Sequence, residues 1–307
     1  MHYTLHQLQV FLKIAEKLSI TKAAEELHLT QPAVSIQLKK FQDQFPHPLT
    51  EVIGRQIYIT DFGNEIVEAG KVIINHVNQI KYKSTAYSGK LSGKLKISIV
   101  STAKYIMPYL LADFIKQNPE VELVLDVTNK SRVIDSIEKN QVDFSMVSLL
   151  PKKIKINSIQ LMKNQLFLVG NTETIFDKKE YPKSILSELP IIYREEGSGT
   201  RLTMEKYINK NNISVKKKME LTSNEAVKQA VLSGLGYSIM PLIGIRNELK
   251  EKRLQIIPVK GFPIKSNWNI IWLKEKKFSA VAQAFLHFLQ KEKDHLLQTK
   301  FDGIEFE

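Results

Sequence analysis

The sequence predicts an α+β protein in which a small helical head is joined by one long helix to a larger region of alternating strands and helices. Three observations predict this fold class. Apolar residues recur at helical spacing through residues 4 to 41, and a single apolar stripe runs along residues 61 to 87. After the Gly- and Ser-containing stretch 88 to 94, strand-like runs alternate with helical patterns, as in α/β domains.

The composition is that of an ordinary soluble protein and removes several classes from consideration. The 307 residues are 43% hydrophobic and 25% charged. No apolar run is long enough to span a membrane, and the first ten residues lack the features of a secretory signal. We therefore expect a cytoplasmic chain with no membrane partner. The absence of cysteine excludes disulfides, thiolate catalysis and cysteine-based metal sites.

The net charge of +12 would suit a nucleic-acid partner, but its distribution weakens that inference. Residues 1 to 94 carry 11 Lys and Arg against 8 Asp and Glu, a net of +3, whereas residues 95 to 307 carry 33 against 24, a net of +9. Most of the excess therefore lies outside the head, in Lys-rich segments that are typical of solvated surfaces. Evidence for DNA binding therefore has to come from the sequence pattern of the head and not from its net charge.

The head is predicted to hold three helices. The first covers residues 4 to 17, Ser19 caps a second that ends near Leu27, and Thr30 caps a third with Pro32 in its first turn. The third helix is expected to bury Val34, Leu38 and Phe41 and to expose Gln31, Pro32, Ser35, Ile36 and Lys39. Two short helices on either side of a tight break, the second with a small polar outer face, indicate a helix-turn-helix.

A short strand at 56 to 59 after Gly54-Arg55 suggests a wing, and Thr60 can cap the long helix that follows. The apolar stripe of this helix consists of Phe62, Ile66, Ala69, Ile73, Val77 and Ile80. A long helix with one such stripe favours pairing with a second copy of the chain. Packing within its own chain is the alternative.

The larger region is predicted to form two α/β halves with a cleft between them. Strands are predicted at 95–100, 121–127, 142–147, 165–169, 191–193, 218–221, 237–240, 254–258 and 267–272, and helices at 106–117, 131–140, after Arg201, at 225–233 and at 279–291. Because strands alternate with helices, parallel pairing is expected.

The motifs in this order resemble those of a known family. The head contains Ser19-Ile20-Thr21-Lys22-Ala23-Ala24, then Thr30-Gln31-Pro32-Ala33-Val34-Ser35, and the wing region runs from Gly54-Arg55 through Thr60 to Gly63. The remainder contains Ser101-Thr102, Asp143, Gly197-Ser198-Gly199-Thr200-Arg201, Ser223-Asn224-Glu225 and a stretch from Gly234 to Pro241. This series resembles the LysR-type transcriptional regulators over essentially the whole chain. Residues 194 to 201 look most like members that control carbon-fixation or sulfite-reductase genes.

The resemblance implies an architecture and a set of partners. The implied domains are a winged helix-turn-helix in 1–60, a linker and dimerisation helix in 61–88, a hinge in 89–94, effector-binding subdomain I in 95–163 and 267–296, subdomain II in 164–266, and a C-terminal tail in 297–307. The two subdomains would have the type II periplasmic-binding-protein-like fold. The implied partners are double-stranded promoter DNA, a small anionic co-inducer, RNA polymerase, and further copies of the chain in a homodimer or homotetramer.

Two departures from the family pattern are visible. Leu49-Thr50-Glu51-Val52 lacks the usual Phe and Arg before the wing, which predicts either loss of one phosphate contact or its transfer to Arg55. Phe41-Gln42 replaces the usual Leu-Glu, a change expected to affect helix packing more than DNA readout.

The candidate DNA-binding residues are Ser19, Thr21, Thr30, Gln31, Pro32, Ala33, Ser35, Ile36, Lys39, Lys40 and Arg55. Gln31 can pair with adenine, Ser35 can bond to several bases, and Pro32, Ala33 and Ile36 can touch a thymine methyl. Thr30, Lys39, Lys40 and Arg55 suit phosphates, which set register without reading sequence.

The candidate effector-binding residues are Ser101, Thr102, Thr128, Val147, Ser148, Ser198, Gly199, Thr200, Arg201, Ser223 and Asn224. Ser101-Thr102 and the Gly197 to Thr200 stretch each precede a predicted helix, where hydroxyls and backbone N–H groups suit an anion. Arg201 is expected to hold a carboxylate or phosphate through two parallel hydrogen bonds.

Other functions have less support in the sequence. The seven histidines are scattered without metal-ligand spacing, and no Ser, His and acid set can be assembled, so no metal, cofactor or catalytic site is expected. An effector-responsive regulator is the leading hypothesis. The alternatives are a metabolite-processing enzyme with an accessory DNA-binding head and a solute-binding protein for transport.

Overall fold

The computed structural model describes residues 2–54, 56–86 and 90–301; for residues 75, 78, 79 and 81–86 it describes the backbone alone. The chain divides into two compact units, Met1–Lys90 and Leu91–Glu307, and each has its own core. None of the helices in these described ranges is long and apolar enough to cross a membrane.

The first unit begins with the three predicted helices, α1 (Leu5–Lys17), α2 (Ile20–Leu27) and α3 (Gln31–Gln42). Their caps are side chains that satisfy free backbone N–H groups. The Ser19 hydroxyl accepts from the N–H of Lys22, and the Thr30 hydroxyl accepts from the N–H of Ala33. Between them His28, at φ 53°, ends α2 in the left-handed conformation that commonly terminates helices. The predicted helix-turn-helix is therefore present.

Phe41 lies in the core of the first unit and is fully buried. Its ring centroid lies 5.1 Å from that of Tyr3, 5.3 Å from that of Phe11 and 5.1 Å from that of Phe45. Edge-to-face and offset ring pairs at this spacing stabilise a core beyond the area they bury. The aromatic residue at this position thus contributes to packing, as the sequence predicted.

The wing is a two-stranded antiparallel hairpin of β1 (Thr50–Ile53) and β2 (Gln56–Ile59). Only β2 was expected, because β1 is mostly exposed and lacks an alternating pattern. Gln42 at the end of α3 fixes the start of the hairpin, since its Oε1 accepts from the Thr50 N–H at 3.2 Å and from the Thr50 hydroxyl at 2.9 Å. Arg55, the predicted phosphate contact in the wing, lies outside the described residues.

The long helix α4 (Asp61–Ala86) follows the wing and is capped by Thr60, whose hydroxyl accepts from the Gly63 N–H at 2.9 Å. Small residues let this helix pack closely against its own unit. A Cβ at Gly70 would lie 2.8 Å from the Leu8 side chain, closer than atoms can approach without movement. The N-terminal half of α4 is therefore part of the core of this unit.

The buried face of α4 differs from the predicted stripe. Gly63, Val67 and Gly70 are buried, each one position after a residue of that stripe. Farther along, Ile73 and Ile80 are exposed within this unit, Ile80 at 69%. Packing within the chain therefore holds for one face of the helix. Pairing with a second copy stays a prediction, because the apolar side chains on another face are uncovered in this unit.

The second unit alternates strands and helices. Its strands are β3 (Gly93–Val100), β4 (Val121–Thr128), β5 (Phe144–Val147), β6 (Ile156–Asn171), β7 (Pro190–Arg194), β8 (Lys216–Leu221), β9 (Ser238–Pro241), β10 (Leu254–Ile257) and β11 (Ile264–Leu273). Its α-helices are α5 (Met107–Gln117), α6 (Lys130–Glu138), α7 (Ile185–Glu188), α8 (Gly199–Lys210), α9 (Asn224–Leu232), α10 (Arg246–Lys250) and α11 (Ala280–Phe301), with 3₁₀ helices at Ser101–Tyr105 and Leu242–Gly244.

The larger sheet of this unit has the strand order β10-β6-β11-β5-β3-β4, and β9 also pairs with β6. β3 pairs in parallel with β4 and β5, and β7 pairs in parallel with β8 in a separate sheet, as expected. The expectation of parallel pairing is wrong for the ladders of β6 with β9, β10 and β11 and of β11 with β5, which are antiparallel. Local alternation could not show this, because β6 and β11 are adjacent in the sheet but far apart in the chain.

The two longest strands, β6 and β11, pass through the predicted subdomain boundaries. Lys163 pairs with Asn267 and Asn164 pairs with Ser266, so the boundaries at 163/164 and 266/267 face each other across one antiparallel ladder. The Asn164 amide also donates to the Ser266 hydroxyl at 3.1 Å. Both strands are longer than predicted, because they continue from one apolar core cluster into the other.

The C-terminal helix is longer than the sequence indicated. The expected helix ended near residue 291 and the expected tail began at 297, but α11 continues to Phe301. Leu296 and Phe301 are buried, and the Phe301 ring makes an edge contact with Tyr109 on α5. Residues 297–301 therefore belong to the helix rather than to a tail, and 302–307 lie outside the described residues.

Candidate nucleic-acid and effector sites

Helix α3 presents the predicted reading surface. Gln31, Pro32, Ile36, Lys39 and Lys40 are exposed, as is the capping Thr30, while Ala33 and Ser35 are half-buried. The opposite face of α3 is buried in the core through Val34, Leu38 and Phe41. The candidate residues of α3 are thus brought onto one accessible side, which is the geometry that a recognition helix needs in a major groove.

Ser19 and Thr21 lie at the start of α2. The Ser19 hydroxyl is engaged in capping, whereas Thr21 is exposed. N-terminal ends of helices are suited to phosphate because their first N–H groups have no intrahelical partner. The start of α2 thus combines free backbone N–H groups with the exposed side chain of Thr21.

The positive charge of the first unit is partly neutralised between α1 and α2. Lys13 Nζ lies 2.8 Å from Glu16 and 3.0 Å from Glu26, and Lys17 also pairs with both carboxylates. The hydrogen bond from Lys13 lowers the pKa of Glu16, and that from Lys17 lowers the pKa of Glu26. Lys39, by contrast, makes no ion pair within the described part of the chain, so its charge is available to a phosphate.

A pocket in the second unit gathers most of the predicted effector-binding residues. It encloses about 220 Å³, including space open to solvent, and is lined by Val100, Ser101, Thr102, Asn129, Lys130, Ser148, Arg194, Ser198, Gly199 and Thr200. These residues follow or end β3, β4, β5 and β7. The pocket therefore lies at the carboxyl ends of the parallel strands, the usual ligand position in α/β sheets.

Two helix N-termini contribute to the pocket. Asn129 caps α6 by accepting from the Arg132 N–H at 3.1 Å, and Ser198 caps α8 by accepting from the Arg201 N–H at 3.4 Å. The first backbone N–H groups of these helices, which include Gly199, have no intrahelical acceptor. Together with the positive end of each helix dipole they favour an anion.

Two cationic side chains line the pocket, and sequence reasoning assigned a role to neither. Arg194 is the last residue of β7 and is only 4% exposed. Lys130 is half-buried, and within the described residues its side chain has no hydrogen bond or ion pair; burial lowers its pKa. Their positions in the sequence could have identified them, because Arg194 ends a strand and Lys130 begins a capped helix.

Arg201 does not have the predicted role in this structure. Its Nε donates to Glu205 at 2.7 Å, and its Nη1 donates to Glu220 at 2.8 Å and to the Arg194 carbonyl at 3.1 Å. The hydrogen bond with Glu205 raises the pKa of Arg201. Because α8 begins at Gly199 and not after Arg201, this side chain lies along the helix and does not line the pocket.

The other predicted effector residues divide into two groups. Ser101, Thr102, Ser148, Ser198, Gly199 and Thr200 line the pocket, whereas Thr128, Val147, Ser223 and Asn224 do not. Thr128 and Val147 end β4 and β5 directly before a lining residue. The Ser223 hydroxyl caps α9 by accepting from the Ala226 N–H at 3.0 Å. Asn224 is buried and donates to the Ser101 hydroxyl at 2.9 Å, so it supports the pocket from behind.

A tight turn places α8 against α6. The Ser198 N–H donates to the Glu195 carbonyl at 3.2 Å, with Gly197 between them at φ +81°. A Cβ at Gly197 would lie 2.6 Å from the Ser131 hydroxyl, and the Ser131 N–H donates to the Gly197 carbonyl at 3.2 Å. Glycine is required here both for the backbone conformation and for this close approach.

The fold and the pocket define a class of protein. A winged helix-turn-helix in one unit and an anion-suited pocket in an α/β unit are the parts of a ligand-responsive transcriptional regulator. Residues 5–64 match the family model described as "Bacterial regulatory helix-turn-helix protein, lysR family", and residues 88–294 match the "LysR substrate binding domain". The chain belongs to the LysR family of transcriptional regulators.

Similar proteins agree with this assignment and narrow it. The chain is 37% identical to the HTH-type transcriptional activator CmpR of Synechocystis sp., over 93% of this chain and 94% of that protein. It is 34% identical to the RuBisCO operon transcriptional regulator of Allochromatium vinosum, over 95% and 97% respectively. The resemblance to carbon-fixation regulators is thereby confirmed, and these relatives are regulators rather than enzymes.

Two solved structures are similar to this chain, one with higher sequence identity and one over more of its length. The regulatory domain of CcmR from Synechocystis PCC6803, in complex with 2-PG (2-phosphoglycolate), has 31% sequence identity and a TM-score of 0.62, covering 69% of this chain and 99% of that one. Full-length CbnR complexed with its target DNA has a TM-score of 0.70 at 18% identity, covering 94% and 99%. The second likeness shows the fold alone.

Proposed function

We propose that this regulator controls a carbon-fixation operon in response to a phosphorylated carboxylate, with 2-phosphoglycolate as the leading candidate. The observation that carries the proposal is the convergence of two helix N-termini, Lys130 and Arg194 on one pocket. The 31% identity to a regulatory domain solved with 2-PG supports the choice of ligand.

The chemistry of the pocket suits such a ligand. Phosphate oxygens accept hydrogen bonds from backbone N–H groups at helix starts, here those of Lys130 and Gly199, and from an ammonium group such as Lys130 Nζ. The hydroxyls of Ser101, Thr102 and Ser198 supply further donors. We place the effector among these residues, with Asn224 as a support and without a direct role for Arg201.

For DNA, we propose that the exposed face of α3 reads promoter sequence. Gln31 and Ser35 would contact base edges, and Pro32, Ala33 and Ile36 would contact thymine methyl groups. Phosphate contacts are assigned to Thr30, Lys39, Lys40 and Arg55, with Ser19 and Thr21 at the start of α2. The exposure of Thr21, Thr30, Gln31, Pro32, Ile36, Lys39 and Lys40 supports the assignment.

We further propose that the working unit is a homodimer or homotetramer that acts in the cytoplasm with RNA polymerase as a partner. The exposed Val72, Ile73 and Ile80 on α4 support pairing between copies. A pair of heads would place two α3 helices about 34 Å apart, or a multiple of that, on one face of DNA. The effector would act by favouring one of two arrangements of these heads.

Two experiments test the two parts of the proposal. Calorimetric titration of the purified full chain with 2-phosphoglycolate should give saturable binding, and glycolate should bind more weakly because it lacks the phosphate. Footprinting on DNA that flanks a carbon-fixation operon should show two protected half-sites whose extent changes when 2-phosphoglycolate is added. Absence of protection at modest salt would refute the DNA assignment, and absence of binding would refute the effector class.

A further inference from the structure

We propose that Glu195 determines which anions the effector pocket accepts, because it neutralises Arg194 and so opposes ligands of high negative charge. This inference rests on the proposed effector site and deepens it. It assigns Glu195, which does not line the pocket, a role in selecting ligands by charge.

The pairing of Glu195 with Arg194 is bidentate and shielded from water. Arg194 Nε donates to Oε2 at 2.7 Å, and Nη2 donates to Oε1 at 2.9 Å. The side chains are 4% and 14% exposed. Fork-like pairs of this kind are stronger than single charged hydrogen bonds, and burial reduces their screening by salt. The pocket arginine therefore already holds a carboxylate.

The backbone fixes Glu195 in this position. Its N–H donates to the Leu221 carbonyl at 3.1 Å, which extends the pairing of β7 with β8 by one residue. Its carbonyl accepts from the Ser198 N–H and closes the turn into α8. Since Glu195 cannot diffuse away, any carboxylate that approaches Arg194 competes with a tethered group at high effective concentration.

Lys130 provides the contrast within the same pocket. Among the lining residues, Lys130 and Arg194 carry the charged side chains, and only Arg194 is paired within the described residues. The two cations and Glu195 together give a local formal charge of +1, whereas the cations alone would give +2. A local charge of +1 neutralises a ligand with one negative charge. It does not neutralise a phosphorylated carboxylate, which carries more.

The consequence is a dependence on ligand charge. The Coulomb energy between Glu195 and a bound ligand grows in proportion to the charge of the ligand. Glycolate carries one negative charge near neutral pH, inorganic phosphate between one and two, and 2-phosphoglycolate about three. Removal of the Glu195 charge should therefore improve binding most for 2-phosphoglycolate and least for glycolate.

The test uses Glu195→Gln in the full chain, which removes the charge and keeps an oxygen that can accept from Arg194. Titrations with glycolate, inorganic phosphate and 2-phosphoglycolate should show binding of 2-phosphoglycolate about tenfold or more tighter than in the unmodified chain, with successively smaller gains for the other two. The matched control is Glu196→Gln, because Glu196 is the next residue and its side chain is 88% exposed. Its dissociation constants should stay within about twofold.

The outcomes separate this inference from the proposed function. Binding by the unmodified chain with equal or weaker binding by Glu195→Gln would overturn the inference alone, and would indicate that Glu195 only positions Arg194. An equal gain in Glu196→Gln would also overturn it. If no anion binds to either protein, both the inference and the proposed effector class fail. Glu195→Ala removes the same charge and replaces Glu195→Gln if circular dichroism shows that the first variant is unfolded.

Discussion

The side-chain amide of Asn224 donates a hydrogen bond to the hydroxyl of Ser101 at 2.9 Å, across 123 positions of the chain. This contact joins the first residue of α9 to the 3₁₀ helix that follows β3. Arg194 Nη2 donates to the same hydroxyl at 3.3 Å. One oxygen that lines the pocket thus holds together three elements by accepting two hydrogen bonds. The Ser101 O–H can still donate to an effector anion.

Ser101→Ala should destabilise the effector unit more than Asn224→Ala. The serine variant leaves two buried donors without their acceptor, at a cost of about 1–3 kcal/mol in the free energy of unfolding. The asparagine variant leaves the Ser101 oxygen with its bond from Arg194. Urea unfolding of the two single variants and of the double variant gives the coupling energy. Additive effects would show that the Ser101 and Asn224 side chains are not energetically linked.

Lys130→Gln should weaken 2-phosphoglycolate binding by about tenfold or more with little loss of stability. The reason is that Lys130 faces the pocket and has no ion pair or side-chain hydrogen bond among the described residues to lose. Calorimetry gives the affinity, and thermal unfolding gives the stability. Lys206→Gln, at an exposed position of α8, is the control and should change neither. Equal affinities of the Lys130 variant and the unmodified chain would contradict the assignment.

Gly197→Ala should destabilise the effector unit by about 1–3 kcal/mol, because a non-glycine residue at this positive φ is strained and its Cβ would meet Ser131. Gly199→Ala is the matched control. Its nearest contacts, on Lys130 and Ser148, are 3.7–3.9 Å away, so an added methyl fits. Chemical unfolding midpoints compare the two variants, and similar midpoints would show that the turn tolerates a side chain.

Lys39→Ala should reduce the steepness with which DNA affinity falls as salt rises. Each phosphate contact contributes about 0.9 to the slope of log affinity against log salt concentration, so one lost contact per head should lower its magnitude by about that amount. Fluorescence anisotropy at several salt concentrations measures the slope. Lys116→Ala, an exposed position in the second unit, should leave it unchanged. An unaltered slope for Lys39→Ala would remove this residue from the phosphate contacts.

Acid should weaken the packing of α1 on α2. The pKa values of Glu16 and Glu26 are lowered by hydrogen bonds from Lys13 and Lys17, so the folded state binds fewer protons than the unfolded state. Their contribution is complete above the ordinary glutamate pKa of about 4.5 and is lost as the pH falls through the lowered values. Glu26→Gln should therefore show a shallower fall of the melting temperature below about pH 4.5 than the unmodified chain.

The control for this pH dependence is Glu25→Gln, since Glu25 is the adjacent exposed carboxylate and has no side-chain partner in the described part of the chain. Its melting temperature should follow that of the unmodified chain across the acid range. Identical acid profiles for Glu26→Gln and Glu25→Gln would mean that the ion pairs between α1 and α2 contribute nothing measurable.

Local sequence signals were sufficient for the elements of the first unit. Ser19, Thr30 and Thr60 cap helices where the sequence placed them, because capping depends on residues within one turn. The reading face of α3 followed from helical periodicity alone. The face of α4 did not, since Gly63 and Gly70 are buried by close contact with neighbouring residues rather than by their hydrophobicity.

What the sequence by itself determined was the helix-turn-helix, the alternation of strands and helices, and the hydroxyls and glycines at the helix starts of the effector pocket. Only the tertiary structure decided that β6 pairs antiparallel with β11 and that Arg194, rather than Arg201, lines the pocket. The physical reason is that capping and periodicity act over a few residues, whereas strand partners and buried ion pairs depend on groups far apart in the chain. Arg201 meets Glu220 and Arg194 meets Ser101 only after folding.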